Sequence, residues 1–146
     1  MDRPEESKNV RGGCLCGAVR YVVHGPLRPV IACHCRQCRR SSGHFAAATA
    51  ARPEQLRLEG EDAIRWYRSS ELASRGFCAT CGSNLFWRPS AGDRIGIWAG
   101  TLDEPTGLTT IMHICVDDAG DYYRVPEDIS HHRGSEHGVA MPTSRG

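Results

Sequence analysis

Three thiols stand within six residues in Cys33-His34-Cys35-Arg36-Gln37-Cys38. Cys33 and Cys35 are in C-x-C spacing and Cys35 and Cys38 in C-x-x-C spacing, so one tight turn can aim three sulfurs at a common point. A second C-x-C pair, Cys14 and Cys16, lies upstream, and a second C-x-x-C pair, Cys78 and Cys81, lies downstream. A cation such as Zn²⁺ accepts thiolates readily; it takes four ligands where its role is structural, and three protein ligands plus an open position where it does chemistry. The pattern therefore predicts two zinc ions per chain, one in a closed site and one in an open, catalytic or labile site.

Cys14, Cys16, Cys78 and Cys81 supply the closed site. Their halves lie far apart in sequence, so a shared ion clips a long loop shut, and such binding contributes on the order of 10–16 kcal/mol to folding in small zinc domains. Cys33, Cys35 and Cys38 are left one ligand short. The candidates within the chain are His34, His44, His113 and Cys115. His34 lies between two ligands and is expected to point away from the metal. Cys115 sits in a β-like run, residues 111–116, where a buried, inert thiol is the ordinary reading. If none of these binds, water or a substrate thiol takes the position, and a thiol on zinc is held as the thiolate that attacks electrophiles. The plainer reading is a second structural site.

Arg36, Arg39 and Arg40 crowd the central cysteines. They read either as a solvated basic turn or as partners for the carboxylates of an anionic ligand. The formal net charge is only +1, so nothing in the bulk electrostatics asks for nucleic acid or an acidic membrane.

The elements that must position these residues fit one domain in a chain of 146 residues. Residues 1–10 read as a flexible N-terminal arm, 11–126 as the zinc-binding domain and 127–146 as a polar, poorly ordered tail whose His131, His132 and His137 are solvated. The start lacks a signal peptide's basic and apolar regions, and no run approaches the ~20 apolar residues of a membrane span. A cytoplasmic protein is expected, and there eight cysteines are metal ligands or reactive thiols rather than disulfides.

Glycines bracket the cysteine pairs, where the backbone must turn sharply and bring its N–H groups to the thiolates. Residues 18–24, 30–32, 44–51, 56–60, 64–68, 84–87, 94–100, 110–116 and 121–125 read as short strands separated by Gly, Pro and Asp. Residues 46–51 favour a helix on propensity, but Pro53 follows at once and the run is too short to stand alone. No segment keeps helical periodicity over three turns. The fold class is mostly β: small β-sheets held by zinc, with little helix.

Gly13-Cys14-Leu15-Cys16-Gly17-Ala18-Val19, Cys33-His34-Cys35 with Cys38 and Gly43, Phe77-Cys78 with Cys81-Gly82, Gly100-Thr101-Leu102-Asp103 and His113-Ile114 together resemble the glutathione-dependent formaldehyde-activating enzyme family, also called the centromere-protein-V family. The resemblance runs from about Gly12 to Val125. It implies a tent-like arrangement of β-sheets carrying two zincs, with Cys14, Cys16, Cys78 and Cys81 on the structural ion and Cys33, Cys35 and Cys38 on the catalytic one. It also implies a carbon–sulfur lyase that joins formaldehyde and glutathione into S-hydroxymethylglutathione, so glutathione is the expected small-thiol partner. The alternative is a non-catalytic zinc module that binds a small thiol or a protein. The segment after His113-Ile114 lacks the Pro-Trp that follows in many members.

Overall fold

The computed structural model describes residues 9–134. Along the chain run the strands β1 (Asn9–Gly13), β2 (Arg20–His24), β3 (Val30–Cys33), β4 (Ala46–Ala51), β5 (Leu56–Glu59), β6 (Ile64–Arg68), β7 (Ala73–Cys78), β8 (Asn84–Pro89), β9 (Ile95–Trp98), β10 (Thr110–Ile114) and β11 (Ser130–His131). One short α-helix, α1 (Arg36–Ser42), follows β3. The protein is mostly β, as expected, but one sheet is larger than the small sheets anticipated. A three-stranded sheet has the order β1-β2-β5, and an eight-stranded sheet the order β11-β10-β3-β4-β9-β8-β7-β6. Pairing is antiparallel except where β10 runs parallel to β3 and β11.

The two sheets share a core. From β2 it takes Tyr21 and Val23, and from β8 and β9 it takes Leu85, Phe86, Ile95 and Ile97, all buried. Tyr21 meets Phe86 edge-on with ring centroids 5.5 Å apart. Its hydroxyl lies 2.6 Å from Thr101 Oγ1. The single Thr101 proton goes to the Trp98 carbonyl, so Tyr21 donates to Thr101 and its polar tip is satisfied inside the core. The neighbouring Leu102 bridges Gly12, and Asp103 N–H donates to the Arg11 carbonyl, so residues 101–103 fasten β1 to the large sheet.

The alanine-rich β4 is a strand because of where it sits. It is paired on one side with β3 and on the other with β9, and Ala46, Ala50 and Ala51 are buried there. Ladder bonds on both edges override a weak helical preference.

Four segments differ from expectation, each for a physical reason. β1 begins at Asn9, so residues 9 and 10 pair with His24 and Val23 instead of extending the arm; residues 1–8 lie outside the described residues. The central cysteines lead into α1 rather than a turn alone. Residues 121–125 form turns, not a strand, and Tyr122 and Tyr123 use them to reach His44 and His34. The first part of the expected tail is tied down: Ser130 and His131 pair with Met112 and His113. Residues 135–146, His137 among them, lie outside the described residues. Among the described residues no helix is long and apolar enough to cross a membrane.

Candidate metal centres

The first cluster is built from two turns that lead into strands. Cys14 N–H donates to the Val19 carbonyl while Val19 N–H points back at Cys14 Sγ, 3.2 Å away, which closes the turn after β1. At the end of β7, Gly82 in the left-handed region (φ 80°) lets its N–H reach the Cys78 carbonyl at 2.8 Å, and Cys81 N–H lies 3.4 Å from Cys78 Sγ. Ser83 joins the two halves: its hydroxyl accepts from Leu15 N–H at 3.0 Å and lies 3.2 Å from Cys81 Sγ. Hydrogen bonding from Ser83, first by its side chain and then by its backbone, draws the Cys81 thiol down to about 5.

The sulfurs of Cys14, Cys16, Cys78 and Cys81 lie within 4.8 Å of one another. Cys16 Sγ is 3.7 Å from Cys14 Sγ and 3.8 Å from Cys78 Sγ. A tetrahedral ion bonded to each sulfur at about 2.3 Å requires sulfurs about 3.8 Å apart. The residues present fit a four-thiolate zinc site.

The second cluster sits where β3 ends and α1 begins. Cys35 is the N-cap of α1, and its sulfur accepts from Cys38 N–H at 3.3 Å. That bond both caps the helix and turns Cys38 inward, where it is buried. Gly43, with φ 87°, ends the helix by donating to the Arg39 carbonyl. The sulfurs of Cys33, Cys35 and Cys38 lie within 4.8 Å of one another, and among the described residues no His, Cys, Asp or Glu joins them as a fourth. Thiols this close cannot all ionise unaided. Sulfur hydrogen bonds from Cys33 and then Cys38 hold Cys35 down to about 2, while the Cys35 and Cys38 sulfurs push Cys33 far up. A divalent cation is what allows all three to be thiolates together.

The candidate histidines are hydrogen-bonded to one another or to tyrosines. His34 is fully buried, with Nδ1 2.7 Å from Tyr123 Oη and Nε2 2.8 Å from His113 Nδ1. It does point away from the cysteines that flank it. Burial, and then the neighbouring His113, pushes its imidazole down to about 4 and keeps it neutral. His44 Nδ1 lies 2.8 Å from Tyr122 Oη. Cys115 is not the buried strand thiol anticipated. It is half-buried, follows β10 with φ 57° in the left-handed region, and starts a 3-10 turn.

Of the three arginines singled out, Arg36 and Arg40 are exposed on α1, and Arg39 Nε donates to the Asp118 carbonyl at 2.8 Å. The cation against the second cluster is one that sequence reasoning missed. Arg75, on β7 and nearly buried, places Nη2 3.8 Å from Cys38 Sγ. Only strand pairing across the large sheet brings it there. Ser83 was missed too, although its place two residues after Cys81 hinted at it.

Fold and thiol clusters together define a mostly β protein able to hold metal ions through cysteine. The chain belongs to the glutathione-dependent formaldehyde-activating enzyme family, whose model matches residues 9–118. It is similar to an uncharacterized lyase of Schizosaccharomyces pombe (strain 972 / ATCC 24843), 30% identical over 119 residues that span 77% of this chain and 82% of the relative. It is also similar to the crystal structure of a Rhodobacter sphaeroides protein, with a TM-score of 0.56 and 30% identity, covering 66% of this chain and 91% of that one. The family and the lyase name of the relative support enzymatic activity.

Proposed function

We propose that this chain is a cytoplasmic zinc enzyme with carbon–sulfur lyase activity, joining glutathione and formaldehyde into S-hydroxymethylglutathione and reversing that step. The observation that carries the reading is the coordinative shortfall at Cys33, Cys35 and Cys38, set beside a complete four-thiol cluster elsewhere in the same chain.

In this reading Cys14, Cys16, Cys78 and Cys81 hold a structural ion, and Cys33, Cys35 and Cys38 hold the second. When bound, that second zinc supplies a position where a thiol stays ionised and an aldehyde oxygen is polarised. The bond formed joins the glutathione sulfur to the formaldehyde carbon. The carbonyl π pair moves to oxygen, which takes up one proton, and the thiol gives up one, so the addition is redox-neutral and freely reversible. The chain's own part is to hold the thiolate cluster rigidly. Cys35 fixes the start of α1, and neutral His34 anchors the β3–α1 junction to His113 and Tyr123. Arg36 and Arg40, exposed on α1, can approach the carboxylates of an incoming thiol.

Glutathione titrated into cobalt-substituted protein tests this reading. New, saturable sulfur-to-metal charge-transfer absorption is expected as a fourth sulfur joins the second site. A spectrum unmoved by thiol, with two equally tight ions, would favour the non-catalytic zinc module instead.

A further inference from the structure

Resting on the reading of the second cluster as a thiol site, we infer that Arg75 and Arg65 line a carboxylate-binding pocket beside Cys38 that makes the site select acidic thiols over neutral ones. Pairing of β6 with β7 sets Arg65 opposite Phe77 and Tyr67 opposite Arg75. Residues two apart on a strand share a face, so all four side chains stand on one face of the sheet. Arg75 reaches Gln37, Cys38 and Ser41, so this is the face turned toward α1. A cavity of about 510 Å³ opens there, lined by Ser41, Arg65, Tyr67, Arg75 and Asn84 among others. That volume lies within the range of small-molecule sites, roughly 300–1,000 Å³.

Arg75 is poorly satisfied for a buried cation. Its residue is 8% exposed, and its contacts are long: Nη1 to Ser41 Oγ and Nη2 to Gln37 Oε1 at 3.4 Å, and Nη2 to Cys38 Sγ at 3.8 Å. Its Nε is buried with no hydrogen-bond partner. Among the described residues no carboxylate pairs with it. A cavity-lining guanidinium with long contacts, a buried unpartnered N–H and no carboxylate partner is a site for a planar anion, and a carboxylate matches its fork with two parallel hydrogen bonds. The same side chain touches Cys38 Sγ, so a ligand whose sulfur completes the cysteine cluster lies within a few bonds of this cation. Arg65, exposed and lining the same cavity, supplies a second positive charge for a second acidic group. The simpler role for Arg75, offsetting the charge of the thiolates, predicts a change in metal affinity alone.

S-Methylglutathione separates these roles, because it keeps both carboxylates but its sulfur is a thioether. Calorimetric titration into zinc-loaded protein is expected to show binding that weakens about tenfold or more in Arg65→Gln and in Arg75→Gln, and to the same degree when the probe's carboxylates are esterified. Equal binding by both variants and the parent, or no preference for the free acid over the ester, overturns the inference. Removal of buried Arg75 can disturb the sheet, so exposed Arg65 carries the test independently. If glutathione moves the cobalt spectrum of the parent and both variants alike while S-methylglutathione does not bind, the pocket is wrong and the thiol reading stands. If S-methylglutathione binds through the arginines and the cobalt spectrum ignores glutathione, the pocket stands and the thiol reading fails.

Discussion

His34 Nε2 lies 2.8 Å from His113 Nδ1, and this contact, together with the bond from His34 N–H to the Ile114 carbonyl, ties the segment between two cluster cysteines to the strand at its side. One proton serves the two nitrogens, so at least one ring must be neutral. Burial, and then the neighbouring histidines, pushes His34 down to about 4 from an ordinary 6.5, and burial lowers His113 as well. The unfolded chain therefore takes up more protons than the folded one between those values. The stability gained from the neutral pair is fully present above about pH 6.5 and is lost as pH falls through about 4. Side-chain NMR of His34 should show a neutral ring at about pH 6. A midpoint near the ordinary histidine value would contradict the buried network.

Cys81→Ser should remove the structural ion. Cys81 joins residues from distant turns, and a cluster missing one thiolate loses most of the roughly 10–16 kcal/mol such sites contribute. The variant is expected to be insoluble or to carry less zinc by metal analysis. Full solubility with unchanged zinc would refute a structural role.

Cys35→Ser should behave differently, because serine is itself a favoured N-cap and can keep α1 in place. The protein should stay folded by circular dichroism while zinc falls from two ions per chain to one, and thiol binding should disappear. Retention of both ions would show that the second site does not depend on Cys35.

Gly76→Ala tests the packing behind Arg75. A Cβ at Gly76 would stand 2.9 Å from the Trp66 ring, and that ring is covered on one face by the Arg88 guanidinium at 3.8 Å. With little room to retreat, the overpacking should cost about 1–3 kcal/mol in denaturant unfolding. An unchanged midpoint would mean that the hairpin of β6 and β7 yields easily.

Much of this was legible from local chemistry. Cysteine spacing grouped the thiols as the structure does, and Gly, Pro and β-branched runs marked most strands within a residue or two. Pro53 and the brevity of residues 46–51 were enough to read β4 as a strand against its alanine content. What escaped depended on long-range contact. α1 is too short to show periodicity and exists because Cys35 caps it and Gly43 ends it. The turns at residues 121–125 look like a strand in isolation, because it is the distant His34 and His44 that claim Tyr123 and Tyr122. Arg36, Arg39 and Arg40 attracted attention by proximity in sequence, whereas Arg75 reaches Cys38 from a strand 37 residues on.

In the proposed function Cys33, Cys35 and Cys38 hold a site that works on a thiol and an aldehyde. Formaldehyde and glutathione also combine without help, so the rate and not the product is diagnostic. NMR exchange spectroscopy between free glutathione and S-hydroxymethylglutathione measures it at equilibrium. Zinc-loaded protein at micromolar concentration should accelerate the exchange well above background, and Cys35→Ser should return it to background. Exchange that runs at the uncatalysed rate with the fully loaded protein would contradict the assignment.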